Sequence, residues 1–330
     1  MKPYIYITRK LPEEAIAPLR QKYEVKMWEH DDVPVPKEIL LAEVKKADAL
    51  LTMVSDTIDE KVLNEADNLK IVANCAVGYD NIDLPAAAKN GVAICNTPDV
   101  LTDTTADLTF ALLMAVSRRV VEAAEYTKKG QWKSWSPFLL AGQDIHHKTL
   151  GIVGMGKIGE AVAKRAAGFE MNLLYHNRTR KPEIEQKLGT VYCTFEDLIK
   201  KADFVVCLAP LTEETKNMFT LEVFQKMKRS AIFINASRGP VVNEQGLYQA
   251  LVTGEITGAG LDVFEKEPID ADHPLLGLLN VVALPHIGSA SVETRTAMMN
   301  LAIANIEAVL DGKNPLTLVN KDWTSCTNSK

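Results

Sequence analysis

The sequence predicts an α/β protein with two domains, each built on a parallel β-sheet. Its 330 residues are 47% hydrophobic and 24% charged, a length and composition that suit two packed domains. Short apolar segments alternate with segments of helical spacing, as strands and helices alternate around a parallel sheet. A glycine-rich turn, GMGKIG at 154–159, lies between one such strand and helix. Together these observations predict Rossmann-like domains.

The first part of the chain predicts a flavodoxin-like unit. Residues 4–8, 49–53 and 70–74 are short apolar segments typical of strands, and helical or loop segments separate them. This unit ends near the NTP segment at 96–98. One long helix over 104–129, rich in Ala, Leu and Met, then carries the chain into the second domain.

The second domain contains the glycine-rich turn. Its predicted strands are residues 148–153, 171–176, 204–208, 231–235, 258–261 and 281–284. A helix over 160–169 follows the turn, and the last helix of the chain covers about 291–310.

The glycine-rich turn predicts a dinucleotide site. Gly154 permits a tight turn, Gly156 lets the backbone approach a pyrophosphate, and Gly159 lets the helix pack close to the strand. The free N–H groups and the positive dipole end of the helix also favour phosphate. A purely structural turn is the alternative, because GxGxxG also occurs in ordinary loops.

The end of the next strand predicts a preference for NADPH, without excluding NADH. An NAD-preferring site usually has Asp or Glu there for the ribose hydroxyls, whereas this chain has HNRTRK at 176–181. Arg178, with Thr179 and Arg180 nearby, can hold a 2′-phosphate by charge-assisted hydrogen bonds. Two such bonds, at about 1.5–3 kcal/mol each, change the preference about a hundredfold or more. A solvated basic turn is the alternative.

Three side chains later in the sequence predict reduction of an α-keto acid. Arg238, in NASRG, offers a fixed cationic fork that suits a carboxylate. His286, in PHIG, can donate a proton near neutral pH, and Glu267 beside it would favour the charged imidazole. Each residue alone is ordinary in a loop, so the prediction depends on their joint occurrence after the dinucleotide turn.

The chain resembles the D-isomer-specific 2-hydroxyacid dehydrogenase family, and most closely its glyoxylate/hydroxypyruvate reductase branch. The resemblance runs from about residue 3 to about residue 320 and includes VGYDNID at 77–83, NTP at 96–98, TTAD at 104–107 and CLAPLT at 207–212. One departure is Asp107, where many relatives have glutamate. The resemblance implies NAD(P)H-dependent reduction of glyoxylate and hydroxypyruvate to glycolate and D-glycerate.

The resemblance also implies roles for individual residues. Arg238 matches the arginine that binds the substrate carboxylate and keto oxygen, His286 matches the acid/base, and Glu267 matches its acidic partner. The backbone N–H groups of Val77 and Gly78 match the loop that receives the carboxylate. Beyond the three glycines of the turn, the implied cofactor contacts are Thr105, Lys157, Ile158, Asn177, Arg178, Thr179, Pro210, Ala236, Asp262, which would hold the nicotinamide carboxamide, and Gly288.

The family's domain organisation is discontinuous. It implies a substrate-binding domain of residues 1–99 and 292–330 and a dinucleotide-binding domain of residues 100–291, with the substrate in an interdomain cleft. In the reductase branch, a tryptophan that matches Trp135 reaches the neighbouring subunit's active site, which implies a homodimer and favours small keto acids. Ordinary packing is the alternative for Trp132 and Trp135.

Composition argues against several classes of partner. The net charge of -6 disfavours nucleic acid, and no apolar run is long enough to span a bilayer or to form a signal peptide core. The five cysteines include no CxxC and are typical of reduced, mostly buried thiols in a cytoplasmic protein. We expect no metal site, because the adjacent His146 and His147 suit a surface loop.

Other substrates and one non-enzymatic function stay open. The same motifs could belong to a 2-ketogluconate reductase or to an enzyme that acts on 3-phosphoglycerate or phosphite. We expect no regulatory domain after residue 330, which disfavours the larger phosphoglycerate enzymes. The family fold also occurs in nucleotide-sensing corepressors, which the acidic, compact chain disfavours.

Overall fold

A computed structural model gives the structure of residues 2–323. The chain forms two compact units, of which the first runs to Leu101 and resumes at Ser291, and the second is Thr102–Ala290. Each unit is built around one parallel sheet. The predicted fold class, α/β with two Rossmann-like domains, is therefore confirmed.

The first unit has a five-stranded sheet with helices between its strands. In chain order its elements are β1 (Tyr4–Ile7), α1 (Glu13–Lys22), β2 (Glu24–Met27), α2 (Lys37–Val44), β3 (Ala49–Thr52), α3 (Glu60–Asn64), β4 (Ile71–Asn74), α4 (Leu84–Lys89) and β5 (Ala93–Cys95). The strand order β2-β1-β3-β4-β5 is the flavodoxin-like order.

The second unit has a seven-stranded sheet. Its elements are α5 (Thr102–Ser117), α6 (Val120–Lys128), β6 (Thr149–Val153), α7 (Lys157–Ala167), β7 (Asn172–His176), α8 (Pro182–Leu188), β8 (Val191–Tyr192), α9 (Phe195–Lys201), β9 (Phe204–Cys207), α10 (Leu221–Gln225), β10 (Ile232–Asn235), α11 (Glu244–Val252), β11 (Gly258–Leu261) and β12 (Val281–Ala283). The order β12-β11-β10-β9-β6-β7-β8 reverses between β6 and β9, and ligands of such sheets bind at this point, beyond the carboxyl ends of the strands. The chain then enters α12 (Val292–Leu310), which packs on β3 and β4 of the first unit.

Half of the strands are buried along their whole length, because helices cover both faces of a parallel sheet. Every residue of β3, β4, β9 and β10 is buried, and the strands predicted there end within one residue of the observed ends. The sequence analysis missed β2, β5 and β8. β2 and β8 are edge strands with exposed residues, and β5 has only three residues.

The single helix predicted over 104–129 is wrong, because the chain forms α5 and α6 with a break between them. The Ser117 carbonyl accepts a hydrogen bond from Gln143 N (2.8 Å) instead of a helical N–H. Gly142 makes this approach possible, since a Cβ there would lie 2.1 Å from Ser117 O. Arg119 then adopts a left-handed conformation with φ of 51° and starts α6 in a new direction.

The helix predicted over 160–169 begins earlier, at Lys157, and ends at Ala167. Gly156 is extended, with φ of -82° and ψ of -167°, and serves as the N-cap residue. The helix therefore starts inside the glycine-rich turn, so its amino terminus lies directly beside Gly156.

The described part of the chain contains buried free cysteines but no candidate membrane span or metal cluster. No helix within residues 2–323 is long and apolar enough to cross a membrane, and no cluster of His, Cys, Asp or Glu in this range could hold a metal ion. Cys75, Cys95 and Cys207 are buried free thiols, and burial raises their pKa to about 11, 12 and 11. They are therefore protonated at neutral pH. Cys326 lies outside the described residues.

Candidate active site

The turn after β10 positions Arg238. Asn235, the last residue of β10, accepts hydrogen bonds at Oδ1 from Ser237 N (3.1 Å) and Ser237 Oγ (2.8 Å). Its Nδ2 donates to Arg238 O (3.0 Å). Arg238 Nη1 donates to Ser237 O (2.8 Å). One buried asparagine therefore closes the turn from which the arginine side chain extends.

Gly239 brings this turn against the loop that carries Glu267. A Cβ on Gly239 would lie 1.8 Å from Phe264 C and 1.9 Å from Phe264 O, so any side chain would overlap with backbone. Phe264 N in turn donates to Glu267 Oε1 (3.0 Å). The turns that follow β10 and β11 are therefore in direct backbone contact.

His286 and Glu267 form a hydrogen-bonded pair, with 2.7 Å between His286 Nδ1 and Glu267 Oε2. Desolvation disfavours the ionised form of Glu267, but the hydrogen bond and charge of His286, the Phe264 N–H and the Arg238 charge outweigh it and lower the pKa of Glu267. An ionised carboxylate only accepts hydrogen bonds, so Nδ1 is the donor. Nε2 is therefore the ring nitrogen that can transfer a proton to another group.

Asp262 anchors the turn that carries His286. Its backbone carbonyl accepts from His286 N (2.9 Å), and its carboxylate oxygens accept from Ile287 N (2.7 Å) and Gly288 N (2.8 Å). His286 has φ of 53°, which is uncommon for a residue other than glycine. A Cβ on Gly288 would lie 3.1 Å from Asp262 Oδ2 and 3.3 Å from Thr105 Cγ2, so these three predicted residues lie together. Burial raises the pKa of Asp262, and the two N–H donors only partly offset this.

The glycine-rich turn is tightly packed on two sides and open at its centre. Gly154 has φ of 101°, and a Cβ there would lie 2.6 Å from Ala209 N, in the segment that follows β9. A Cβ on Gly159 would lie 2.4 Å from Gly154 O. At Gly156 no described atom beyond the adjoining residues of the chain lies within 4 Å of the Cβ position. The turn therefore has room for a ligand beside Gly156, at the amino terminus of α7.

Other predicted cofactor residues lie around the same strand ends. Ala236 N donates to Cys207 O (3.3 Å), which places the turn after β10 beside the end of β9. Pro210 follows β9, and its carbonyl accepts a hydrogen bond from a threonine of the same loop. Lys157 begins α7, and Ile158 is partly buried against the core.

The basic turn after β7 contains two arginines, of which one forms an ion pair and the other, among the described residues, does not. Arg180 forms a two-bond ion pair with Glu185, with Nε–Oε1 and Nη2–Oε2 distances of 2.8 Å, and this bond above all lowers the pKa of Glu185 to about 2. Asn177 Nδ2 donates to Thr179 O (2.9 Å) and closes the turn. Arg178 is exposed and makes no ion pair within residues 2–323. Of the two arginines, Arg178 is therefore the one available for a ligand.

Three further predicted residues lie on other elements. Val77 and Gly78 are partly exposed in the loop between β4 and α4 of the first unit. Trp135 lies after α6 in the second unit, with 78% of its surface exposed. The strand ends of the second sheet thus bring together the three catalytic candidates and most of the cofactor candidates, but not these residues.

Sequence reasoning missed the groups that hold this arrangement together. These are Asn235, Gly239 and the carboxylate of Asp262 in its role as anchor of the His286 turn. Asn235 did carry a signal, since it is a polar residue at the end of an otherwise apolar strand. Gly239 carried a weaker signal as a glycine between Arg238 and a proline.

Comparison with a family model identifies the second unit. The model described as D-isomer specific 2-hydroxyacid dehydrogenase, NAD binding domain, matches residues 110–288. This range contains the glycine-rich turn, all seven strands of the second sheet and the three catalytic candidates.

Comparison with known proteins extends the similarity over nearly the whole chain. A glyoxylate reductase of Korarchaeum cryptofilum (strain OPF8) is 49% identical over 323 residues, which cover 98% of this chain and 97% of that protein. The crystal structure of TT0316 protein from Thermus thermophilus has a TM-score of 0.90 and 46% identity, and covers 96% of this chain and 99% of that one. An NADPH-dependent glyoxylate/hydroxypyruvate reductase from Sinorhizobium meliloti, in complex with NADP and malonate, has a TM-score of 0.85, 32% identity and 98% coverage of both chains.

Proposed function

Since the chain belongs to the D-isomer-specific 2-hydroxyacid dehydrogenase family, we propose that it reduces glyoxylate and hydroxypyruvate to glycolate and D-glycerate. It is an oxidoreductase that uses a nicotinamide dinucleotide. The similarity to the Korarchaeum and Sinorhizobium reductases supports the substrate class. The structural observation that carries the proposal is the 2.7 Å pair of His286 and Glu267, joined through Phe264 to the turn of Arg238.

The cofactor, when bound, supplies the hydride. Its pyrophosphate would lie against Gly156 and the amino terminus of α7, where the backbone leaves room for a ligand and the helix dipole favours phosphate. Thr105, Asp262 and Gly288, which lie together, would contact the nicotinamide end. The remaining proposed contacts are Gly154, Lys157, Ile158, Gly159, Asn177, Arg178, Thr179, Pro210 and Ala236.

His286 supplies the proton in the reduction. Negative charge develops on the carbonyl oxygen as the keto carbon is reduced, and the imidazolium neutralises it by proton transfer from Nε2. Glu267 accepts a hydrogen bond from Nδ1 and orients the ring, and its lowered pKa keeps the carboxylate ionised. General acid catalysis of this kind typically contributes about 10²–10⁴-fold to the rate.

Arg238 and the loop of Val77 and Gly78 bind the substrate. The guanidinium of Arg238 pairs with the carboxylate and polarises the keto oxygen, which presents the reacting carbon in one orientation. The N–H groups of Val77 and Gly78 bind the carboxylate as uncharged donors.

NADPH is the preferred cofactor, and NADH remains usable. Arg178 is exposed and free of ion pairs within residues 2–323, whereas Glu185 already neutralises Arg180. The turn contains no carboxylate that would repel a 2′-phosphate. Arg178 therefore provides the charge that distinguishes the two cofactors.

Initial rates with NADPH and NADH test the proposal. The substrates are glyoxylate, hydroxypyruvate, pyruvate and 2-ketogluconate, and the control is His286→Ala. We expect rapid NADPH-dependent turnover of the first two substrates, which the variant loses while it still binds NADPH. Faster turnover of 2-ketogluconate would instead support a 2-ketogluconate reductase. Tight NADPH binding without turnover of any substrate would support a nucleotide-sensing protein.

A further inference from the structure

Two asparagine side chains hold the loop that carries Val77 and Gly78. Asn96 Nδ2 donates to Val77 O (2.8 Å), and Asn74 Nδ2 donates to Gly78 O (3.0 Å). The carbonyl before them is held as well, because Ala76 O accepts from the backbone N–H that follows Asn96 (2.8 Å). Three consecutive carbonyl groups of one loop are therefore tethered to the ends of β4 and β5.

These tethers also fix the direction of three N–H groups. In a trans peptide the C=O and the following N–H point in opposite directions. The tethered carbonyls of residues 76, 77 and 78 therefore turn the N–H groups of Val77, Gly78 and Tyr79 away from the asparagines. Within residues 2–323, the N–H groups of Val77 and Gly78 donate to no protein atom.

Both asparagines are themselves firmly held. Asn74 is fully buried and accepts a hydrogen bond from Thr52 Oγ1 (3.1 Å). The backbone of Asn96 is bound on both sides by Thr317, through its carbonyl to Thr317 Oγ1 (2.7 Å) and through its N–H to Thr317 O (3.4 Å). Asn305 of α12 accepts hydrogen bonds from the N–H groups of residues 316 and 317 and donates to Thr317 Oγ1 (2.8 Å). The tethers are thus anchored in the core of the first unit.

We infer that Asn74 and Asn96 are positioning residues for recognition of the substrate carboxylate. They do not touch the substrate, but they keep the N–H groups of Val77 and Gly78 pointing outwards, so that no peptide must rotate when an anion binds. Preorganised donors of this kind bind an anion more tightly than a mobile loop does. The inference rests on the proposed function, which assigns the carboxylate to this loop.

The chemistry of the asparagine amide gives a sharp test. An aspartate at position 96 has the same shape, but its ionised carboxylate donates no hydrogen bond and repels the Val77 carbonyl. It would attract an N–H instead and so favour rotation of the peptide between Val77 and Gly78. The variant Asn96→Asp therefore reverses the tether, whereas Asn96→Ala only removes it.

The experiment measures steady-state kinetics with glyoxylate and calorimetric binding of oxalate to the NADPH-loaded protein. We expect Asn96→Asp to raise the KM for glyoxylate and the Kd for oxalate about tenfold or more, as the loss of a hydrogen bond to a charged group does. Because the carboxylate contact is the same in ground and transition states, kcat changes less than about twofold. The Kd for NADPH stays unchanged, and Asn96→Ala gives a smaller increase in both constants.

Asn320→Asp is the matched control. Asn320 is also buried and also donates to a backbone carbonyl, Val92 O (2.9 Å), but it lies beside β5 away from the loop. We expect this variant to lower Tm without raising the KM for glyoxylate. An Asn96 variant that behaves in the same way would show a merely structural role and overturn the inference.

The two measurements separate the inference from the proposed function. If the parent protein binds oxalate but does not turn over glyoxylate, and Asn96→Asp weakens oxalate binding, the inference stands and the substrate assignment fails. If the parent turns over glyoxylate and neither Asn96 variant changes KM, the inference fails alone. A parent protein that neither binds oxalate nor turns over glyoxylate overturns both, and if Asn96→Asp does not fold, Asn96→Ala decides.

Discussion

The ionisation of Glu267 results from a competition between desolvation and its partners. Desolvation favours the neutral acid, but the hydrogen bond and charge of His286, the Phe264 N–H and the Arg238 charge prevail and lower the pKa of Glu267. The carboxylate is therefore ionised across the neutral range and accepts the hydrogen bond from His286 Nδ1, which orients the imidazole for proton transfer from Nε2. We expect Glu267→Gln to lower kcat for glyoxylate about 100-fold. The parent rate should fall in acid, as Glu267 is protonated below its lowered pKa, and the variant should lack this acid limb because an amide does not titrate.

The measurement for Glu267→Gln is kcat/KM as a function of pH, with Glu265→Gln as the control. Glu265 is an exposed glutamate two positions away, and its side chain is not bonded to His286. We expect the control to keep the parent profile. A Glu267→Gln profile with the same acid limb as the parent would contradict the role given to Glu267.

Arg178 and Arg180 give a second test at the scale of single residues. The ion pair with Glu185 neutralises Arg180, while Arg178 is exposed. We expect Arg178→Ala to raise the Kd for NADPH about 10–100-fold, which corresponds to about 1.5–3 kcal/mol for a lost charge-assisted contact. The Kd for NADH should stay within about twofold, since NADH lacks the 2′-phosphate. If Arg180→Ala weakens NADPH binding by the same factor, Arg178 is not the residue that distinguishes NADPH from NADH.

At the scale of elements, the site depends on the contact between the turns after β10 and β11. Gly239 allows this contact, because a Cβ there would lie 1.8 Å from Phe264 C. We expect Gly239→Ala to destabilise the protein by about 3 kcal/mol or more, since backbone must move, and to lower kcat because Arg238 and Glu267 separate. Urea denaturation and steady-state kinetics measure the two effects. Gly277→Ala is the control, since a Cβ there meets no described atom within 4 Å, and equal stability of both variants would refute the argument.

The sequence predicts those elements whose pattern is local. The buried strands β9 and β10 are apolar runs, and their predicted ends are accurate to one residue. The break between α5 and α6 depends on a hydrogen bond from Gln143 to Ser117, two residues far apart in the sequence, so helical spacing does not show it. The candidate site also divides into local and long-range features. Local motifs predict Arg238 and His286, whereas the hydrogen bonds of Asp262 to the turn of His286 form only when two strand ends are brought together by the fold.

At the scale of the whole molecule, both units use the same arrangement of parallel strands. The loop of Val77 and Gly78 follows β4 in the first sheet, and the glycine-rich turn and the turn of Arg238 follow β6 and β10 in the second. Loops at the carboxyl ends of parallel strands are held by a rigid sheet and can vary in sequence without disturbing it. This explains why the candidate residues occur in short motifs separated by ordinary core segments.

The surface around α6 exposes large aromatic side chains that are typical of an interface between subunits. None of the described side chains of α6 is buried. The segment that follows it exposes three large side chains, Trp132 (59%), Trp135 (78%) and Phe138 (86%). A surface with several large exposed apolar groups is typical of an interface with another protein chain, and aromatic residues are enriched at such interfaces. These observations favour the homodimer that the family resemblance implies, in which Trp135 contacts the neighbouring subunit.

We expect sedimentation equilibrium to give a mass of twice 36.4 kDa and the double variant Trp135→Ala/Phe138→Ala to dissociate at concentrations at which the parent protein is dimeric. Truncation of a hot-spot side chain at an interface costs about 2 kcal/mol or more, so if both aromatic residues are hot spots the dissociation constant should rise about a thousandfold. Leu279→Ala is the control, since Leu279 is also a large exposed apolar residue (82%) but lies outside this surface. If Trp135 shapes a neighbouring active site, the dissociated variant should also show a higher KM for glyoxylate, and this KM should not fall as protein concentration rises within the monomeric range. A monomeric parent protein would overturn the homodimer, and a dimer that the double variant leaves unchanged would place the interface elsewhere. Either result would favour ordinary packing as the role of Trp135.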